Sequence, residues 1–151
     1  KLHDKDNWFF TNILKKLINK YGEVFLDLGA KTPVRGKPKY NLESWWVNYQ
    51  NKYDFNPTHC HKGVYSFAIW MVIPTDHEVE NKDADNNNPV KSSFQFTYTD
   101  ILGNLSFSNY NLSPQANATM LFFPSRLHHS VYPFFTSDGT RITVSGNVFY
   151  A

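Results

Sequence analysis

Four of the six histidines in this chain fall in two short segments. One is Asn56-Pro57-Thr58-His59-Cys60-His61; the other is Phe123-Pro124-Ser125-Arg126-Leu127-His128-His129. A neutral imidazole is the commonest metal ligand among side chains. In an extended strand, residues i and i+2 point the same way. His59 and His61 therefore share a face, with Cys60 on the other, and their imidazoles can take adjacent positions on one ion. A third ligand from a distant strand completes a facial set and leaves positions open for substrate and oxygen. His128 and His129 are the candidates; being adjacent, they point to opposite faces, so one ligates and the other does not. With one cysteine in the chain, a structural Cys/His zinc cage is excluded.

Arg141 is the next residue of interest. It opens Arg141-Ile142-Thr143-Val144-Ser145, an apolar strand in which an unpaired arginine is costly. Its inward partner is then an anion, and a planar guanidinium suits two-pronged capture of a carboxylate. Thr143, two residues on and on the same face, can donate its hydroxyl to the same group. An ordinary salt bridge to Asp138 or Asp100 is the competing explanation. No Ser/His/Asp set, phosphate-binding glycine loop or paired-carboxylate motif stands beside this constellation.

The elements that must position these residues are mostly strands. Asn7 to Tyr21 reads as a helix, with Trp8, Phe10, Ile13, Leu14, Leu17, Ile18 and Tyr21 near the helical period. Asp6 or Asn7 can cap its start and Gly22 can end it. Glu23 to Leu28 reads as a short strand, and residues 29–38 as loop. From Glu43 the pattern is β: strands are expected at residues 44–49, within 63–74, and at 93–98, 104–107, 119–123, 130–135 and 141–150. The nearly continuous apolar run in the second of these implies burial on both faces. Asn51 to Pro57 reads as a turn. Thr75 to Lys91 reads as a solvated polar loop or a lid. About eight short strands after one helix argue for a sandwich or barrel. The expected architecture is mainly β, a double-stranded β-helix of the jelly-roll or cupin-like kind. It forms one domain over residues 1–151, with a β core at about 43–150 and a supporting N-terminal helix.

Composition narrows the field further. Aromatic residues make up 17 % of the 151 residues, so the core is rich in rings. Charged residues at 19 % and a net charge of +2 give no footprint for nucleic acid. The longest apolar run, Phe67 to Ile73, is too short to span a bilayer. A single cysteine points to a reducing compartment, and a cytoplasmic location is expected.

These segments resemble the 2-oxoglutarate/Fe(II)-dependent oxygenases, in particular small members found in bacteria and marine phages. The resemblance runs from about Ser44 to Asn147. It is carried in order by Ser44-Trp45 with Tyr49, by Asn56-Pro57-x-His59-x-His61, by an apolar strand ending in Pro74 and by Gly103-x-Leu105-x-Phe107. Phe123-Pro124-Ser125-x-Leu127-x-His129-x-Val131-x-Pro133 and Arg141-Ile142-x-Val144-Ser145-x-Asn147 complete it. It implies that His59 and His129 ligate Fe(II), and that Arg141, assisted by Thr143, holds the far carboxylate of 2-oxoglutarate. Tyr65, Trp45 and Tyr49 are implied pocket-lining candidates, Tyr65 as a cofactor contact. The implied reaction decarboxylates 2-oxoglutarate to succinate and hydroxylates an unidentified small molecule or protein side chain. The chain departs from the family at one position. Where the pattern has His-x-Asp or His-x-Glu, it has His61, so the expected site is either a three-histidine triad or two histidines plus water with His61 standing aside. Two other readings compete: a cupin-like three-histidine enzyme that does not use 2-oxoglutarate, and a non-enzymatic jelly-roll binding or structural protein.

Overall fold

A computed structural model describes residues 1–25 and 36–151. Among the described residues, eight antiparallel strands form two four-stranded sheets. Sheet I contains β1 (Tyr40–Gln50), β3 (Tyr65–Val72), β6 (Met120–Pro124) and β8 (Arg141–Tyr150), in the order β1-β8-β3-β6. Sheet II contains β2 (Asn56–His59), β4 (Ser93–Thr99), β5 (Leu105–Asn111) and β7 (His128–Val131), in the order β2-β7-β4-β5. Consecutive strands repeatedly switch sheets, the jelly-roll arrangement expected from the sequence.

Strand alternation creates two cores. On β3, Ala68 and Trp70 face sheet II and pack with Phe94, Phe96 and Phe123. Tyr65 and Phe67 face the other way, onto Leu14 and Ile18 of the N-terminal helical segment and onto Val148. This two-sided burial is why β3 lacks alternating polarity. On β8, Val144 and Val148 follow the helix side, so Arg141, Thr143 and Ser145 fall on the inner face.

The helical segment departs from the expectation at both ends. Asp4, not Asp6 or Asn7, caps it: its carboxylate accepts from Phe9 N (2.9 Å) and Phe10 N (2.8 Å). Asp6 and Asn7 instead take left-handed backbone angles in the turn before it. Residues Phe10–Leu14 wind as a π-helix, and α1 (Lys15–Phe25) runs on through Gly22. The expected strand at 23–28 is therefore helical as far as Phe25; its remainder, and most of the expected loop at 29–38, lie outside the described residues. Among the described residues, no helix is long and apolar enough to cross a membrane.

The segment expected to be a loop or lid, 75–91, is anchored in its first half. Asp76 caps the short helix α2 (His77–Asn81), accepting from Glu78 N at 2.8 Å. Glu80 is 4 % exposed and accepts hydrogen bonds from Phe135 N (2.9 Å), Thr136 N (2.8 Å) and Thr75 Oγ1 (2.6 Å). Those bonds also explain β7, which starts at His128 rather than Ser130 and stops at Val131. Pro133 has no N–H to continue a ladder, and the next backbone donors turn to Glu80.

Candidate metal centre and anion site

β2 and β7 are neighbours, and His59 pairs directly with His129 across them. Two residues on, the chain has left β2, and His61 N donates to Ser125 O (2.8 Å) beside the end of β6. The crossing carries His61 from sheet II towards sheet I while its ring stays with the other two. Ring centroids are 4.3 Å apart for His59 and His129, 5.0 Å for His59 and His61, and 5.1 Å for His61 and His129. The candidate ligand nitrogens of all three lie within 4.8 Å of one another. His129 is buried and His128 exposed, so the sequence rule for adjacent histidines holds.

The rings are oriented before any ion arrives. His59 Nδ1 lies 2.7 Å from Pro57 O, and His129 Nδ1 lies 3.0 Å from Leu127 O. A carbonyl can only accept, so each Nδ1 carries the proton and each Nε2 keeps its lone pair. Fixing the tautomer through the other ring nitrogen is the usual support for a metal-bound imidazole. Phe94 stacks on His129 (5.2 Å, 15°), with Phe123 against its edge. Burial among these rings is the main cause that pushes the His129 pKa down to about 4, against the bond to Leu127 O; burial and then His59 lower that of His61. Both rings are therefore neutral near pH 7, the form that binds a metal. The donor set fits a divalent transition metal: three convergent imidazoles, two of them already aimed. It supplies no carboxylate, so the full +2 of an ion would be uncompensated by these ligands.

A cavity of about 400 Å³ opens beside the histidines. Trp46, Asn48, Gln50, Thr143 and Ser145 give it a largely polar wall on β1 and β8, and Trp70, Phe94, Phe123 and Val131 an apolar one. Trp46 Nε1 donates to Asn48 Oδ1 (2.9 Å), and Asn48 Nδ2 to Ser145 Oγ (3.1 Å), so the polar wall is cross-linked.

Arg141 is 1 % exposed, at the start of β8 and opposite Gln50. Nη1 donates to Gln50 Oε1 (2.9 Å) and Tyr132 O (3.3 Å), and Nη2 to Ser92 Oγ (2.7 Å). The guanidinium lies over the Phe134 ring at 5.0 Å. Nε has no partner, and no carboxylate lies within 4.0 Å, among the described residues. Neither competitor for Arg141 is realised: Asp138 pairs with Lys52 (3.2 Å), and Asp100 accepts from Leu102 N and Asn104 N in its own turn. Burial lowers the Arg141 pKa to about 10, partly opposed by the charge of Glu80. A buried cation served by neutral acceptors, with its Nε–H unused, fits the capture of an anion.

Two of the three candidate pocket residues lie elsewhere. Tyr65 faces the helix, packed against Tyr21, Tyr40 and Phe122, on the side of β3 away from Ala68 and Trp70. Trp45 stacks on Phe9 (4.9 Å); its neighbour Trp46 lines the cavity instead. The third, Tyr49, does line the cavity, at its rim and 68 % exposed. Sequence reasoning missed Trp46, Asn48 and Gln50, an i, i+2, i+4 series whose alternation alone could have flagged it. It also missed Ser92, for which the sequence carries no signal.

A family model described as "Putative 2OG-Fe(II) oxygenase" matches residues 44–147. The chain belongs to this family. Membership implies iron and 2-oxoglutarate, and the three histidines all lie within the matched residues. Among solved structures, the chain is similar to an oxidoreductase of the 2OG-Fe(II) oxygenase family from Burkholderia pseudomallei, with a TM-score of 0.53 and 13 % identity. The match covers 89 % of this chain and 57 % of that one, so the likeness is one of fold over part of a longer protein. An Fe(II)-containing HppE structure, at 6 % identity over 93 % of this chain and 79 % of that one, has a TM-score of 0.34, too low to carry weight. No curated protein matches in sequence.

Proposed function

We propose that this oxygenase is a 2-oxoglutarate- and Fe(II)-dependent dioxygenase that hydroxylates a small molecule or a protein side chain. In this reading His59, His61 and His129 hold the metal, and Arg141, with Thr143, receives the far carboxylate of 2-oxoglutarate. The observation that carries it is the convergence of three imidazoles from two chain segments on the cavity beside Arg141. The bound iron and co-substrate supply the oxidative chemistry. The protein's part is orientation and exclusion of water. Pro57 O and Leu127 O hold two rings in the ligating tautomer, Phe94 and Phe123 keep water from His129, and the polar wall faces the co-substrate.

Anaerobic titration of the Fe(II)-loaded protein with 2-oxoglutarate tests this. A visible charge-transfer band is the expected result, and its loss in His59→Ala and His129→Ala is expected too. One observation favours a second reading. With His61 in place of a carboxylate, and Arg141 already served by Gln50, the site also suits a three-histidine metal enzyme whose own substrate carries the anion. Metal binding without any response to 2-oxoglutarate decides for that alternative.

A further inference from the structure

We propose that Gln50 gates Arg141, its amide oxygen occupying on Nη1 the place that a co-substrate carboxylate oxygen takes. This rests on the reading of Arg141 as the co-substrate anchor. Gln50 and Thr143 line the cavity, whereas Arg141 does not, so an anion in the cavity meets the Gln50 amide before the guanidinium. The three acceptors on Arg141 differ in freedom. Tyr132 O belongs to the backbone, and Ser92 Oγ is fully buried and also donates to Leu112 O (2.9 Å). Gln50 is half-buried at the last position of β1, and its Nε2 donates to Asp54 O (2.6 Å) in the turn that follows. Of the three it is the acceptor that lines the cavity, and the bond holding its other end is to an exposed turn.

The exchange is chemically favourable. An amide oxygen is a neutral acceptor, and a carboxylate makes a charge-assisted bond roughly twice as strong to the same N–H. An amide also carries donor and acceptor on one carbon. Turning about its last torsion withdraws Oε1 from Nη1 and presents Nε2 to the arriving carboxylate, giving up the bond to Asp54 O, an exposed carbonyl that water then serves. No charged side chain need move into the cavity, and the guanidinium stays covered until a ligand of the right length arrives. Gln50 thereby reads the distance between the metal-binding head and the far carboxylate. The class selected is a 2-oxo dicarboxylate; a 2-oxo monocarboxylate has nothing with which to displace the amide.

Trp46 and Trp70 line the cavity, so intrinsic fluorescence follows binding without turnover. The metal-loaded protein is titrated anaerobically with 2-oxoglutarate and with 2-oxovalerate, which shares the keto-acid head and lacks the second carboxylate. Gln50→Glu places an anion on Arg141 in advance. We expect at least a tenfold weaker 2-oxoglutarate affinity, with 2-oxovalerate affinity and metal content unchanged. Gln50→Ala removes the gate and is expected to bind 2-oxoglutarate at least as tightly as wild type, while gaining affinity for the longer 2-oxoadipate. Equal 2-oxoglutarate affinity in wild type and Gln50→Glu overturns the gate and leaves the proposed function standing. A loss in Gln50→Ala as large as in Gln50→Glu makes Gln50 a fixed anchor and also overturns the gate; this variant decides alone if Gln50→Glu does not fold. A wild-type protein that binds metal but shows no response to 2-oxoglutarate overturns the proposed function, and the gate with it.

Discussion

His59 and His129 occupy one rung of the β2–β7 ladder, with ring centroids 4.3 Å apart, although seventy residues separate them in sequence. Sheet register, not the ion, brings this pair together. The protein should then fold without metal, and removal of either ring should leave the fold intact. We expect His59→Ala and His129→Ala each to weaken Mn(II) or Zn(II) binding by at least about 100-fold, beyond what loss of a supporting hydrogen bond does. Circular dichroism should be unchanged. Calorimetric titration checks the first expectation; an unaltered affinity in both variants removes the metal centre.

His61 is the departure from the family's ligand pattern, and it sets a second prediction. Three imidazoles cancel none of the ion's charge. A carboxylate at position 61 cancels one unit and is the harder ligand, better suited to Fe(II) and Mn(II). His61→Asp should bind Mn(II) about tenfold more tightly, equivalent to about 1.4 kcal/mol. Competition titration against a fluorescent chelator measures this. If His61→Asp binds more weakly than wild type, the third ligand is not position 61.

Strand alternation makes much of this site legible in the sequence. It puts His59 and His61 on one face, separates His128 from His129, and aligns Arg141 with Thr143. These inferences need only the period of a strand. The rest depends on contacts that periodicity does not encode. Tyr65 and Trp45 carry pocket-like side chains, but β3 is buried on both faces and Trp45 and Trp46 of β1 are both half-buried, and which face meets the helix is decided by packing. The helix cap at Asp4 escapes sequence reasoning because two left-handed residues lie between it and the first turn, hiding the usual spacing. The 75–91 segment reads as solvated because its charged residues are abundant; one of them, Glu80, is buried and tied to the 135–136 backbone.

Gly63 links the site to the fold. It lies between His61 and β3 with φ +112, and a Cβ there would sit 2.8 Å from Val148 O, a backbone atom that cannot step aside cheaply. Val64 N also donates to Val148 O (2.8 Å), so a shift at Gly63 disturbs the start of β3. Gly63→Ala should destabilise the protein by about 2 kcal/mol through strain and lost hydrogen bonding. Because His61 is two residues away, metal affinity should fall as well. Thermal melting with and without Mn(II) separates the effects: the melting temperature drops in both, and the metal-induced rise shrinks.

Glu80 gives the pH dependence its sign. Burial pushes its pKa up, but hydrogen bonds from Thr136 and Thr75, with the Phe135 and Thr136 backbone, outweigh that and hold it below the ordinary carboxylate value of 4.5. A carboxyl depressed in the folded state contributes stability that is fully present above its unfolded pKa. That stability is lost as pH falls below about 4.5 and on through the lower folded value. Glu80→Gln keeps the size, removes the charge and turns one acceptor oxygen into a donor facing other donors. We expect a loss of about 3 kcal/mol at pH 7, the scale of hydrogen bonds to a charged group left unmade. The difference from wild type should narrow towards pH 3, where the wild-type carboxylate is increasingly protonated. Denaturant melts at pH 7, 5 and 3 measure this. A constant difference across the three would show that Glu80 acts through its shape and not its charge. Glu80 also opposes the lowering of the Arg141 pKa. Arg141 stays charged near pH 7 with or without Glu80, so Glu80→Gln removes a negative charge that repels the co-substrate carboxylate and should strengthen 2-oxoglutarate binding modestly, by up to about threefold, a long-range Coulomb effect across a partly screened interior.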